Sequence, residues 1–112
     1  MFVSPLTRED RRSLHLHVVI STRIAADPEA TLAHARRNLK TMTAATQGGA
    51  RPLLREWRQI LDGGVNRVLD VLADPSEHAR DLRQVTPFAG VLTTRERREA
   101  YRSFREAESA AA

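Results

Sequence analysis

Arginine residues at helical spacing mark the end of the chain as its strongest candidate for chemistry. Of the 18 basic residues, 17 are arginine, whose planar guanidinium group pairs with phosphate or carboxylate in a bidentate manner. Four of them fall within a sector of about 80° on a helix, and we call them the arginine stripe: Arg95, Arg98, Arg102 and Arg105. Tyr101 and Phe104 occupy the neighbouring sector. The pattern predicts a helix that inserts Tyr101 and Phe104 into a partner while the stripe contacts acidic or phosphate groups.

The same helix also fits a purely solvent-facing role. Arg95 and Glu99 are four residues apart. Arg102 lies three residues after Glu99 and four residues before Glu106. Ion pairs at these spacings each stabilise a helix by about 0.2–0.5 kcal/mol, so the stripe could simply be held by its own glutamates.

Two short predicted helices, one over residues 65–73 and one after Asp74, could form a helix-turn-helix. In that arrangement Arg80 and Arg83 would face a nucleic-acid groove. Two short helices in any small bundle share this pattern, and the glycine usual in the turn is missing. DNA binding through Arg80 and Arg83 is therefore an alternative to partner binding.

The motif TPFAGVL, residues 86–92, is the second candidate surface for a partner. Phe88 lies between Pro87 and Gly90, which would make a rigid loop with an aromatic tip. The alternative is that Phe88 fills the core between two helices, and this alternative is favoured because phenylalanine is among the residues most often buried.

Catalytic chemistry has one candidate, the pair Arg12 and His17. The pair resembles the Arg-x4-6-His motif of the all-helical HEPN ribonucleases, in which the two side chains act on the scissile phosphate at a dimer interface. It lies on the first predicted helix, whereas the motif of that family lies late in the domain. The stretch SLHLHVVIS would place His15 and His17 side by side as a strand, but about 200° apart as a helix. The helical pattern is the stronger, so a two-histidine metal site is not expected there.

The remaining motifs of catalysis are missing from the sequence. It contains no cysteine, and we find no glycine-rich phosphate loop, no His-Glu-x-x-His and no serine-centred elbow. The sequence therefore predicts a binding protein and no enzyme, with neither a cofactor nor a metal.

Six predicted helices position these candidates within a single domain spanning residues 1–112. Start signals of the capping-box or Asp-Pro type occur at Thr7, Asp27, Asp74 and Thr93. Apolar residues recur at helical spacing after each signal, and no segment alternates convincingly like a strand. These features predict an all-α fold, a small bundle of about six helices.

Punctuation within the chain sets the expected boundaries. Residues 41–52 mix β-branched residues, a glycine pair and a proline, which predicts a linker with a flexible joint at 43–51. The next segment, 52–62, carries Trp57, the largest apolar side chain and the expected anchor of the core. The last helix should end near Ala107, followed by a frayed tail at 108–112.

The sequence predicts a cytoplasmic protein that forms a homodimer or binds another protein. The N-terminal stretch MFVSPLTREDRR lacks the pattern of a signal peptide, and no apolar run approaches the roughly 18 residues of a membrane span. The net charge is +4. Because the core is thin and rich in alanine, a homodimer or a hetero-complex is expected.

Residues 53–104 resemble a group of small bacterial, mainly actinobacterial, helical proteins regarded as antitoxin-like or regulator-like components of toxin-antitoxin pairs. The fragments that carry the resemblance are EW..ILDG, LRQVTPFAGVLT and R..YRSF, with a looser match at RIAADPEATLAHARRNL. The resemblance implies an antitoxin that occludes a cognate toxin enzyme and that could also bind DNA. A DNA-binding regulator and a HEPN-like ribonuclease are the alternative functions.

Overall fold

The computed structural model describes residues 6–111, which fold into helices without a strand among them. The six helices are α1 (Arg8–Ala26), α2 (Pro28–Ala45), α3 (Arg51–Asp62), α4 (Val65–Ala73), α5 (Glu77–Gln84) and α6 (Thr94–Ala111). The predicted all-α bundle of about six helices is confirmed. Residues 1–5 of the N-terminal stretch and residue 112 of the predicted tail lie outside the described residues.

Side-chain caps begin α1 and α2 where the sequence predicts. The backbone N–H of Asp10 donates to Thr7 Oγ1 at 3.1 Å, and the N–H of Thr7 donates to Asp10 Oδ2 at 3.1 Å. Asp27 accepts the N–H of Ala30 at 3.2 Å. These bonds satisfy amides that have no partner within the helix.

The predicted start of the fifth helix at Asp74 is wrong by two residues. Ser76 is the N-cap, and its Oγ accepts the N–H of Ala79 at 3.2 Å. The Asp74 carboxylate instead accepts the N–H of Ser76 at 2.8 Å and closes a turn after α4. Two residues of DPS can cap, and the one nearer the helix does so while Pro75 stays outside it.

Two predicted helix ends also fall short of the observed ones. α2 continues to Ala45, because threonine and alanine remain helical there, so only residues 46–50 separate α2 from α3. Gly48, with φ at 87°, makes that turn possible. α6 continues past Ala107 to Ala111, where Glu108 pairs with Arg11 at 2.8 Å.

The core forms around Trp57, as predicted. This residue is fully buried, its ring meets that of Phe88 edge-on with centroids 5.8 Å apart, and its Nε1–H donates to the Leu82 carbonyl at 2.8 Å. The buried hydrogen bond satisfies the one polar atom of the indole, so the full apolar surface of the ring stabilises the fold.

Helix α1 lies at the centre of the bundle and packs against α2, α4, α5 and α6. α6 packs chiefly on α1 and runs antiparallel to it. Arg23, near the end of α1, pairs with Glu96 at the start of α6, and Arg11 pairs with Glu108 at the other end. α2 and α3 pack together on a different side, and their junction is the surface of interest.

Candidate partner-binding groove

An open groove of about 690 Å³ lies between α2 and α3. Its floor is aliphatic and includes the buried side chains Leu39, Leu54 and Leu61 together with the smaller Thr43 and Ala44. Five basic side chains form its rims: Arg36, Lys40, Arg51, Arg55 and Arg58. We call this surface the basic groove.

Helical periodicity on two separate segments builds the groove. Arg36 and Lys40 lie one turn apart on α2, and Leu39 beside them points to the floor. Arg55 follows Arg51 by one turn on α3 in the same way. The same spacing therefore places leucines at the bottom and cations at the edge of both helices.

Positive charge is concentrated in this part of the chain. Residues 36–58 hold six basic residues and one acidic residue, a net charge of +5 against +4 for the whole chain. The acidic residue, Glu56, is engaged elsewhere, because its carboxylate bonds His78 Nε2 at 2.6 Å. The segment thus carries more positive charge than the rest of the molecule balances.

Most of the rim cations lack an internal counter-ion. Arg36 is the exception, since it pairs with Asp62 at 2.7 Å and donates to the Leu61 carbonyl at 2.9 Å. Among residues 6–111, no carboxylate lies within ion-pair distance of Lys40, Arg51, Arg55 or Arg58. These four side chains are exposed and free to meet an anionic group.

The arginine stripe is exposed, as its spacing predicts, and two of the three expected ion pairs are formed. Arg102 pairs with Glu99 and lies 4.0 Å from Glu106, so the helix partly neutralises its own stripe. The expected pair of Arg95 with Glu99 is not formed within the described residues. The stripe is a solvated helix face in which arginine and glutamate alternate.

The predicted anchors on α6 are turned towards the molecule itself. Phe104 is only 5% exposed, and its ring lies 5.7 Å from that of His15 on α1. Tyr101 is half-buried beneath the guanidinium of Arg12, which lies 3.9 Å above its ring. The prediction of Phe104 as a partner anchor is therefore wrong, because α1 already occupies that face.

Phe88 is likewise a core residue and not an exposed tip. It is 1% exposed and packs on Trp57, which corrects its assignment to a partner-binding surface. Asn38 Nδ2 holds the loop around it by donating to the carbonyls of Pro87 at 2.9 Å and Ala89 at 2.8 Å. The favoured alternative, a phenylalanine filling the core, is what the fold contains.

Arg80 and Arg83 do not form a nucleic-acid contact face. Arg83 is 2% exposed and donates through Nη1 to the Asp74 carbonyl at 2.6 Å. Burial lowers the pKa of its guanidinium, although Asp74 and Asp10 oppose that shift. Arg80 is partly buried and lies 3.2 Å from the carboxylate of Asp81 and 3.9 Å from that of Asp10. Both predicted contacts are corrected, because the two guanidinium groups fold back onto α1 and the turn after α4.

Asp10 responds to those two arginines. Burial alone would raise the pKa of its carboxyl group, but the hydrogen bonds from Thr7 and the nearby Arg80 and Arg83 outweigh burial. The pKa of Asp10 consequently lies below its ordinary value. The cluster is an internal structural contact between α1 and α5.

His17, the proposed catalytic histidine, is buried with both ring nitrogens in use. Nδ1 lies 2.7 Å from the Ser13 carbonyl, which requires a donor, and Nε2 lies 2.9 Å from Thr86 Oγ1. Burial lowers the pKa of His17 to about 4, so the ring is neutral near pH 7. Nδ1 therefore donates to Ser13, and Nε2 accepts the hydroxyl proton of Thr86.

Arg12 takes no part in that network, because it stacks on Tyr101. His15 also faces elsewhere and bonds Ser103 Oγ at 2.8 Å, so the predicted divergence of His15 and His17 is confirmed. The residues that the structure describes bring together no group of three metal-ligating side chains. Within residues 6–111, no helix has both the length and the apolar character needed to cross a membrane.

Sequence reasoning missed the basic groove, although signals for it exist. Cations one turn apart occur in RRNLK and again in RPLLREWR, and between them lies almost no acidic residue. The glycine pair and the proline between these two stretches predict a linker, which separates them in the sequence. Only the packing of α2 on α3 joins these two basic stretches into one surface.

No protein-family model, no curated protein and no solved structure matches the chain.

Proposed function

We propose that this chain is an antitoxin-type binding protein of the cytoplasm, which neutralises a partner enzyme by occluding it and contacts that partner through the basic groove. The observation that carries the proposal is the combination of an open groove with four rim cations for which residues 6–111 provide no counter-ion. A partner that covers the floor and brings carboxylates to the rim would bury the apolar surface of the groove and provide counter-ions for the rim cations.

Floor and rim would contribute differently to binding. Burial of aliphatic surface gives about 25 cal/mol per Å² and so supplies affinity. Exposed charges chiefly accelerate association and fix the orientation of the partner. Cations alone would attract many anions, whereas the apolar surface of Thr43, Ala44 and the aliphatic stems of the rim cations favours an amphipathic partner.

The resemblance of residues 53–104 to antitoxin-like proteins supports the same class of role, with the geometry reversed. The sequence suggests that α6 enters a groove on the toxin, but Phe104 is committed to α1. We propose instead that this protein provides the groove and the partner provides the inserted element. DNA reading by α5 gains no support, since its exposed residues include Glu77, His78 and Gln84.

Purification of the tagged protein from its own host tests the proposal. The wild type should retain one enzyme in stoichiometric amount, identified by mass spectrometry. The double substitution Lys40→Glu/Arg55→Glu, here the groove variant, should lose that enzyme by about tenfold or more, because it inverts two rim charges. Inhibition of the enzyme on addition of wild-type protein, and not of the groove variant, would confirm occlusion.

A matched control is the double substitution Arg98→Glu/Arg105→Glu, here the stripe variant, which changes net charge by the same amount on α6. It should retain the partner to within about twofold. Loss of the partner from the stripe variant alone, or equal loss from both, would contradict the proposal. Co-purifying nucleic acid without protein, seen as a raised absorbance ratio at 260 and 280 nm, would instead favour a regulator.

A further inference from the structure

We infer that the element received by the basic groove is an acidic amphipathic α-helix about two turns long. This inference rests on the proposed function and identifies what the partner presents. It follows from the length of the groove, the chemistry of its floor and the state of the backbone around it.

The groove has the length of a short helix. Arg51 and Arg58 limit one rim and lie seven residues apart, which is about 10 Å along α3 at 1.5 Å per residue. Arg36 and Ala44 limit the other and lie eight residues apart, about 12 Å along α2. A helix laid between them would make contacts over roughly two turns.

The floor accepts aliphatic side chains and leaves room for a helix to approach. Leu39, Leu54 and Leu61 close the bottom of the groove but are only 6%, 2% and 1% exposed, so the apolar surface open to a partner comes chiefly from Thr43, Ala44 and the aliphatic stems of the rim cations. Thr43 and Ala44 are small and exposed, so a neighbouring backbone can come close at that end. Leucines at positions i, i+3 or i+4 and i+7 of a partner helix would meet this stripe.

The cations lie on both sides of that stripe. Lys40 lies on the α2 rim, while Arg51, Arg55 and Arg58 lie on the α3 rim. A helix with a leucine face flanked on each side by glutamates would therefore meet positive charge along both edges. An acid on one side only would leave one rim without a counter-charge.

An extended segment fits this surface less well. A strand needs partners for its backbone N–H and C=O groups, and it usually finds them at a sheet edge. Here both walls are helices, whose backbone groups are already bonded internally. An inserted helix satisfies its own backbone and needs only side-chain contacts.

Nucleic acid and a second copy of the chain are also poorer occupants. In the part of the chain that the structure describes, no aromatic ring lines the groove, so bases would find no surface for stacking. Phosphates could meet the rim cations, but the leucine floor would contribute nothing. The helix richest in glutamate, α6, also carries five arginines, so a second copy lacks the required acidic face.

Fluorescence anisotropy with a designed peptide tests the inference directly. The probe is a labelled peptide of about 16 residues with leucines at helical spacing and glutamates on both flanks. A second peptide has the same composition but an order that breaks the apolar stripe, and a labelled 20-base-pair DNA duplex serves as a third probe. The first peptide should bind wild-type protein at least about tenfold more tightly than the other two.

Two kinds of substitution separate floor from rim. Ala44→Trp fills the groove without changing charge, and the groove variant changes charge without filling it. Each should weaken the first peptide by about tenfold or more. Ala25→Trp, on an exposed alanine of α1, and the stripe variant are the controls and should stay within about twofold. Circular dichroism of every variant checks that the helices remain folded.

Several results would overturn the inference. Equal binding of both peptides would show attraction by charge alone, tighter binding of the duplex would favour nucleic acid, and an unchanged affinity after Ala44→Trp would remove the floor from the interface. If the peptide does not bind but the groove variant still loses the native partner, the inferred helix is wrong and the proposed function stands. If the groove variant retains the native partner as well as the wild type does, the proposed function itself is wrong.

Discussion

Two surfaces of this protein carry arginines at one-turn spacing, and they differ in what lies between the arginines. On α6, residues 94–111 hold five arginines and four glutamates, and Arg102 lies against Glu99 and near Glu106. In the basic groove, residues 36–58 hold six basic residues and one acidic residue. Among the described residues only Arg102 of the stripe pairs with a carboxylate, but α6 as a whole has a net charge of only +1, whereas residues 36–58 have a net charge of +5.

The residues that lie beside the charges of the two surfaces also differ. Behind the stripe, Phe104 and Ala100 are buried against α1. Between the rims of the groove, Thr43 and Ala44 remain exposed above a leucine floor. The large apolar side chains behind both surfaces are buried in the fold, since Leu39, Leu54 and Leu61 are as little exposed as Phe104. The difference is that small exposed residues, Thr43 and Ala44, leave an open groove between the cations of α2 and α3.

The substitution Phe104→Ala should have the largest effect, and it acts on stability. Removal of a buried phenylalanine ring typically costs about 3–5 kcal/mol, because contacts are lost and a cavity remains. Since Phe104 is 5% exposed, we expect a loss of about 3 kcal/mol, at the low end of that range. Chemical denaturation monitored by the far-ultraviolet circular dichroism signal measures it.

Arg105→Ala is the control for the same helix, because its side chain is exposed. It should change the free energy of unfolding by no more than about 0.5 kcal/mol. A Phe104→Ala protein that keeps wild-type stability but loses its partner would return α6 to the interface and reverse the comparison.

The second largest effect expected is a loss of stability in acid, caused by the buried His17 of α1. The pKa of His17 is about 4 in the fold because of burial, against 6.5 for an ordinary histidine. Between pH 6.5 and 4, His17 is therefore protonated in the unfolded chain but neutral in the folded chain. Stability present above pH 6.5 is lost as the pH falls towards 4, by about 3 kcal/mol in total at 1.36 kcal/mol per unit.

Unfolding free energies measured between pH 7 and 4 test this, in wild type and in His17→Gln. The variant should lose the steep part of the pH dependence, since glutamine does not titrate. The exposed His78→Gln should keep it. Identical slopes for wild type and His17→Gln would show that His17 is not the group responsible.

Much of the fold could be predicted because its determinants are local. Thr7 with Asp10, and Asp27 before Pro28, begin helices by bonds that span only three residues. Where two capping residues compete within DPS, the position of Asp74 before proline predicts Asp74 as the cap, although Ser76 makes the cap. Such choices depend on which side chain the following turn can reach, and that is settled by packing.

The candidate site could not be predicted in the same way, since it joins residues distant in the chain. Helical spacing places Phe104 among the apolar positions of the last helix, but it cannot say whether this molecule or another covers it. Arg83 illustrates the same limit for charge, because a surface-type residue is buried beside the Asp74 carbonyl. The approach of α2 to α3 supplies what the pattern lacks.

The smallest effect expected is on the stability of the free protein, and it compares the two surfaces most directly. The groove variant lowers the charge of residues 36–58 from +5 to +1, whereas the stripe variant changes that of residues 94–111 from +1 to −3. Relief of repulsion among unpaired cations should stabilise the groove variant by about 0.5 kcal/mol at low ionic strength. The stripe variant should gain nothing, because it exchanges a nearly balanced face for an acidic one.

Denaturation of both variants at low and at high salt decides this point. The gain of the groove variant should shrink at high salt, since screening removes the repulsion that the substitutions relieve. Equal changes in the free energy of unfolding of the two variants would mean that their charges are equivalent. The distinction between the arginine stripe and the basic groove would then be wrong. A gain confined to the groove variant would show that its cations are retained at a cost to stability, as expected for residues kept for binding.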